Sequence, residues 1–231
     1  DAARRPHIKV VGIGCHIGSQ LTSAGPFVDA AARMLALVQQ LDRAGIVLDH
    51  IDLGGGVGIR YRDETPEPIG AFLDGALGML AGRKETLIVD PGRSLVGNAG
   101  VLLTRVEYVK PGEAKNFLVV DAAMNDLIRP SLYEAWHEVL PVRKGAGPTS
   151  VYDVVGPICE TGDFLAQGRE LSAVAGDLLA IMSAGAYGMA MSSNYNSRPR
   201  AAEVLVDRAS DYLVRERETV TDLFAKEHVL P

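Results

Sequence analysis

The sequence is poor in cysteine. Its two thiols, Cys15 and Cys159, lie far apart with neither a CxxC pair nor metal-ligand spacing, so it presents no disulfide framework and no zinc site. Aromatic residues make up only 6%, and no Lys/Arg-rich run or basic-aromatic stripe occurs, which removes a nucleic-acid footprint. Gly, Asp or Arg interrupts every apolar stretch before the roughly 18 residues of a membrane helix, and the opening "DAARRPH" lacks the apolar region of a signal peptide. The expected location is a reducing cytoplasm. Internal repeats and low-complexity tracts are missing as well. Residue 1 is Asp rather than Met, and the expectation is a processed or truncated piece of a longer chain.

What remains is ample for a core. At 231 residues, 47% hydrophobic and net charge −6, the chain suits one large or two modest domains. Its first hundred residues alternate in character. "IKVVGIGC" (Ile8 to Cys15) is an apolar run of strand length. The stretch after it places Phe27, Ala31, Met34, Leu35, Val38 and Leu41 on one helical face, with Pro26 suited to the first turn and Gly45 to the end. "IVLDHIDL", a helix within Pro66 to Gly82, and the strand "TLIVD" (Thr86 to Asp90) continue the pattern, which predicts parallel strands with helices packed outside them.

After about Val96 the pattern changes to short β-like segments between turns: "VLLTRVEYV", "NFLVVDA", "VYDVV", "DLLAIMS", "AEVLV" and "DYLVR". These suit an antiparallel sandwich or barrel, with "AYGMAMSS" and "ETVTDLFAKEH" as short helices. The predicted domains are 1–96, α/β, and 97–231, mostly β. Three strands cannot close an eight-stranded β/α barrel, which needs about 250 residues. Either some five β/α units precede Asp1, or the sheet is small, open and complete in itself.

Ligands gather at the carboxyl ends of strands in such folds. There the sequence offers "CHIGSQ" (His16, Gly18, Ser19), "DLGGGVG", and "DPGRS" (Asp90, Gly92, Arg93). The run Gly54, Gly55, Gly56 suits either a phosphate nest of backbone N–H groups or a tight turn requiring positive φ. His16 reads as a ring stacked on a cofactor or as a core histidine. Asp90, at the end of a strand expected to be buried, needs a cation, either a pyridinium or Arg93.

Further along, Arg129 and Tyr133 stand four apart in "RPSLYEAW", where guanidinium and phenol could clamp a carboxylate or simply belong to a surface loop. Tyr187, among small residues in "GAYGMAMSSNYNSRPR", reads as facing a cleft or as part of a glycine-rich turn. In "VVGPICETGDF" a thiol and two carboxylates, Cys159, Glu160 and Asp163, crowd a turn. That is an unusual place for one of only two cysteines, which more often serve as small buried hydrophobes.

Taken together, "CHIGSQ", "DLGGGVGIRY", "DPGRSLVGNAG", "IRPSLYEAWH", "GPICETGDF" and "GAYGMAMSSNYNSRPRAAEVLV" resemble the diaminopimelate decarboxylases, pyridoxal-phosphate enzymes of the alanine-racemase-like fold class, over essentially the whole chain. The resemblance implies the last three β/α units of a TIM barrel followed by a C-terminal β-sandwich or β-barrel domain. It also implies a homodimer with shared active sites that converts meso-2,6-diaminopimelate to L-lysine. His16, a catalytic residue together with Cys159, would stack on the cofactor ring. Ser19, Gly54, Gly55, Gly56 and Tyr187 would hold the phosphate, Gly92 and Arg93 would also contact the cofactor, and Asp90 would face the pyridine nitrogen. Arg93, Arg129, Tyr133 and Glu160, with Tyr187, would bind substrate. Cys159, arriving from the second subunit, would deliver a proton to the carbon that has lost its carboxylate, and Asp163 would serve as a structural turn residue.

Two features depart from the family pattern. Asp90 stands where Glu is usual, one methylene shorter. The Schiff-base lysine belongs to the first barrel strand, and none of the six lysines here, Lys9, Lys84, Lys110, Lys115, Lys144 and Lys226, stands at the carboxyl end of a barrel-type strand. The isolated chain is therefore expected to be inactive. The alternatives are a related decarboxylase of another basic amino acid, or a non-catalytic binding or dimerisation fragment.

Overall fold

A computed structural model describes residues 1–143 and 149–230, and the chain divides into two compact units, Asp1–Asn98 and Ala99–Pro231. Lys144 lies outside the described residues.

In the first unit, strands β1 (Gly12–Gly14), β2 (His50–Asp52) and β3 (Thr86–Ile88) form a parallel sheet in the order β1-β2-β3, with Ile13 opposite Ile51 and Ile51 opposite Leu87. Helices α1 (Gly25–Arg43) and α2 (Ile69–Leu80) occupy the connections. The 3.6-residue spacing of Phe27, Ala31, Met34 and Val38 lines one face of α1, and all four are buried with Ile51, Leu53, Phe72 and Ala76. Phe27 and Phe72 meet edge to face at 5.8 Å, joining the two helices. Pro26 occupies the first turn as expected.

Only the central strand is well covered. Ile51 is 1% exposed, whereas β3 is an edge strand whose Thr86 and Ile88 are exposed. The expectation of a buried strand ending in a buried Asp90 is thus corrected: Asp90 is exposed.

In the second unit a six-stranded sheet runs in the order β6-β9-β4-β5-β7-β8. Its strands are β4 (Leu102–Lys110), β5 (Asn116–Val120), β6 (Val139–Pro141), β7 (Thr149–Val155), β8 (Phe164–Ser172) and β9 (Leu178–Ile181). The end strands β6 and β8 also touch, so the sheet is nearly closed around Val106, Leu118, Val120, Leu165, Leu179 and Ile181. It is one curled sheet, and it is mixed rather than purely antiparallel. The pair β5–β7 is parallel, because between them the chain leaves through helix α4 (Arg129–Tyr133) and sends β6 to pair with β9.

A separate hairpin, β10 (Glu203–Asp207) with β11 (Ser210–Arg215), and the short helix α5 (Val220–Phe224) follow. The helix expected over "ETVTDLFAKEH" shrinks to that one turn, opened by a capping box in which the Thr219 hydroxyl and the Asp222 carboxylate bond each other's backbone. "AYGMAMSS" yields only a 3-10 turn, Met189–Met191. Among the described residues no helix is long and apolar enough to cross a membrane.

Candidate functional site

In the first unit the functional candidates converge at the carboxyl ends of β1, β2 and β3, and backbone does most of the holding. Past β1, Cys15 N–H donates to Asp52 O at 3.0 Å. Past β3, Asp90 N–H donates to Gly54 O at 3.0 Å, and Gly54 N–H donates to the Asp52 carboxylate at 2.7 Å. The triple glycine therefore lies between the other two strand ends. Gly54 and Gly56 have φ of +70° and +87°, left-handed values that tax any side chain. A Cβ on Gly54 would collide with Cys15 O and sit 3.2 Å from His16 Nδ1. One on Gly55 would collide with Asp90 O and sit 2.7 Å from Asp90 Oδ1, and one on Gly56 would collide with Gly18 O. Tight turn and close approach are thus one requirement, and His16 and Asp90 flank it. Gly92, by contrast, opens α3 (Gly92–Val96) with free space where a Cβ would go.

Arg93, the second residue of α3, donates to Ser19 Oγ at 2.8 Å and to Tyr61 Oη at 2.5 Å, with its guanidinium 5.7 Å from the Tyr61 ring centre. Tyr61 is buried and was missed in the sequence; its only signal is its place at the end of "DLGGGVGIRY". The loops after β1 and β2 are also joined through Gln20, whose side-chain amide donates to Ile59 O and accepts from Ile59 N–H, and through the parallel bridge Leu21–Val57. Burial, with the nearby Asp52 charge, pushes the Cys15 thiol up from its usual value.

The second unit builds its candidate residues from side-chain hubs. Cys159 and Glu160 are exposed on the loop between β7 and β8, so the reading of Cys159 as a small buried hydrophobe does not hold. Beneath them Asp163 is 4% exposed, and its two carboxylate oxygens accept from Ile158 N–H and Met124 N–H at 2.7 Å each. The carboxylate also fills the space over Gly156, where a Cβ would collide with it. Burial outweighs these two bonds and pushes the Asp163 carboxyl above its ordinary value. Asp163 is the turn's structural pin, as expected. Tyr195 Oη donates to Glu160 Oε2 at 3.4 Å, and Ser131 Oγ donates to Gly162 O, tying α4 to the same loop.

Arg129 and Tyr133 bracket α4 but meet different surroundings. Tyr133 is 60% exposed, while Arg129 is 7% exposed with Nη1 at 2.7 Å from His137 Nε2. Arg129 is therefore not an incidental loop arginine. His137 is fully buried, and its other ring nitrogen lies 2.8 Å from Met182 O. Sequence reading missed it, although it closes the motif "RPSLYEAWH". Tyr187 is 41% exposed and holds φ of +60°, with Ser183 at +57° on the same loop; left-handed backbone is uncommon for a tyrosine and is held there by the surrounding structure.

Five lysines are described, and Lys9 and Lys84 precede strands β1 and β3, while Lys110 ends β4. Lys115 pairs with Asp153 at 2.8 Å, and Lys226 follows α5. None of these five stands at the carboxyl end of β1, β2 or β3. Among the described residues no group of three or more side chains is arranged to hold a metal ion.

Residues 8–185, which include parts of both units, match the family described as "Pyridoxal-dependent decarboxylase, C-terminal sheet domain". The chain is 59% identical over 230 residues to a diaminopimelate decarboxylase of Pseudomonas fluorescens, covering 100% of this chain and 55% of that protein. It is 58% identical to the enzyme of the same name from Pseudomonas aeruginosa, with the same coverage. Among solved structures it is similar to a diaminopimelate decarboxylase from M. jannaschii in co-complex with L-lysine, with a TM-score of 0.92 and 38% identity, over 100% of this chain and 54% of that one. The chain thus spans about half the length of the relatives it matches.

Proposed function

Because the chain belongs to the pyridoxal-dependent decarboxylase family, we propose that it is the C-terminal part of a diaminopimelate decarboxylase, which removes one carboxylate of meso-2,6-diaminopimelate to give L-lysine. In this reading β1 to β3 with α1 and α2 are the last three units of a TIM barrel, and the second unit is the β-domain that follows it. The complete enzyme would be a cytoplasmic homodimer. The L-lysine held by the M. jannaschii relative fits the product assigned here.

The observation that carries the reading is the convergence of His16, Ser19, the triple glycine, Asp90 and Arg93 on one end of the parallel sheet. The donor set suits a phosphorylated aromatic aldehyde. The Ser19 hydroxyl and the backbone of Gly54, Gly55 and Gly56 suit a phosphate, and the family resemblance adds Tyr187 as a phosphate ligand and Gly92 as a cofactor contact. The imidazole of His16 offers a flat face, and the Asp90 carboxylate offers the anion that keeps a pyridine nitrogen protonated. Bound there, pyridoxal 5'-phosphate supplies the electron sink that makes loss of a carboxylate feasible.

This chain's own residues would do the rest. Arg129 and Tyr133 hold a substrate carboxylate, and Arg93 holds another polar group. Glu160, steadied by Tyr195, meets a substrate ammonium, which selects one of the two stereocentres. Cys159 Sγ holds the proton destined for the carbon that has lost its carboxylate, and reaches it from the second subunit; the exposure of its loop is compatible with that.

The test is a coupled assay for lysine and carbon dioxide from meso-diaminopimelate. The 231-residue chain alone is expected to give no turnover, because the family's cofactor-anchoring lysine belongs to the first barrel strand and none of the five described lysines stands at the carboxyl end of β1, β2 or β3. Carried in a protein of the relatives' full length, it should release the two products in equal amounts, and Cys159→Ala should slow that release about 10²–10⁴-fold. A full-length protein that binds the cofactor yet makes no lysine would defeat the reading.

A further inference from the structure

We propose that His137 is a positioning residue for substrate binding: its neutral ring sets the Arg129 guanidinium on one side and the start of the Tyr187 loop on the other. The inference rests on the substrate roles assigned above to Arg129 and Tyr187.

The chemistry of the partners fixes the state of the ring. A guanidinium has no acceptor, so Nε2, 2.7 Å from Arg129 Nη1, must present its lone pair. A carbonyl has no donor, so Nδ1, 2.8 Å from Met182 O, must carry the hydrogen. The imidazole is therefore held neutral, in one tautomer. Protonation would aim an N–H at a cation in a place closed to bulk solvent, since His137 is 0% exposed.

The need for such a part follows from the two elements it joins. Helix α4 has five residues and no side-chain cap at its start, so the direction of the Arg129 guanidinium depends on what that side chain contacts, His137 among them. On the other side, Met182 N–H donates to Glu138 O at 2.8 Å, so residues 137 and 138 grip Met182 by both its carbonyl and its amide. Met182 leads directly into Ser183 and Tyr187, the two left-handed residues of the loop, whose strained backbone needs a fixed anchor. One buried ring thus spaces two substrate-facing groups that are 58 residues apart in the sequence.

Two variants separate the two ends of the ring. His137→Asn keeps a donor for Met182 O and removes the acceptor for Arg129, whereas His137→Gln can still offer an acceptor to the guanidinium. In the complete decarboxylase, His137→Asn should raise KM for diaminopimelate about tenfold with kcat within about threefold, and His137→Gln should recover most of the loss. In the 231-residue chain, nitrogen NMR of the wild-type imidazole should report the Nδ1–H tautomer at neutral pH. A ring found as imidazolium or as the Nε2–H tautomer would overturn the proposal, as would an unchanged KM in His137→Asn or a His137→Gln no better than Asn. Arg129→Lys separates the premise from the inference. If it leaves KM unchanged, the substrate role of Arg129 is wrong. If it raises KM while His137→Asn does not, only the positioning role is wrong.

Discussion

The two units solve the same problem with different materials. In the first, strand-end loops are packed backbone to backbone, and three glycines are required because carbonyls of Cys15, Asp90 and Gly18 occupy the room a side chain would take. In the second, the candidate residues are held by buried polar side chains, Asp163 under the thiol loop and His137 under Arg129. A site made from backbone contacts fails when atoms are added, and a site made from side-chain hubs fails when they are removed.

That contrast can be broken most forcefully at Gly56. Gly56→Ala combines a collision with Gly18 O and a φ of +87°, and should cost about 3–5 kcal/mol of first-unit stability in urea unfolding. Gly92→Ala, which meets open space, should be within about 0.5 kcal/mol of the parent. Equal losses in the two variants would mean that the backbone packing described here is not what the glycines serve. Next in size is Asp163→Ala in the second unit. It strands the N–H groups of Ile158 and Met124, and a loss of about 2–4 kcal/mol is expected, together with faster alkylation of Cys159 as its loop loosens.

A smaller effect concerns acidity. The Asp163 carboxyl sits above its ordinary value of 3.8 because burial disfavours its charge. Between 3.8 and its raised folded value the native state binds the proton more tightly than the unfolded chain, so this group's contribution to stability falls as pH rises through that window. Asp163→Asn should remove that part of the slope in denaturation curves collected from pH 4 upward, and an unchanged slope would show that the carboxyl is not raised. Smallest of all, Tyr195→Phe deletes a 3.4 Å bond between two exposed groups and should move stability by no more than about 0.5 kcal/mol.

The same contrast explains what could be read in advance. Glycine runs and helical periodicity are local signals, so the triple glycine, α1 with its buried face, and the alternation β1-α1-β2-α2-β3 were all visible in the sequence. The apolar run from Ile8 overstated β1, which pairs only over Gly12–Gly14. In the second unit β8 escaped notice although it is one of the longest strands. Its middle, "QGRE", breaks the alternation of side chains, and Gly168 bends it at φ of +63° to give its N–H to Asp153. The parallel pairing of β5 with β7 depends on where β6 goes and has no local signature. His137 and Tyr61 were likewise invisible as partners, because what makes them matter is an arginine 8 and 32 residues away.

The bonds of Gln20 and the Leu21–Val57 bridge carry the parallel pairing of the first two strands beyond the end of the sheet. Ser19 and Gly56 consequently lie on one rim that these bonds tie together. An anion settling on that rim has little left to organise, so preorganisation, more than any added contact, would set how tightly it is held.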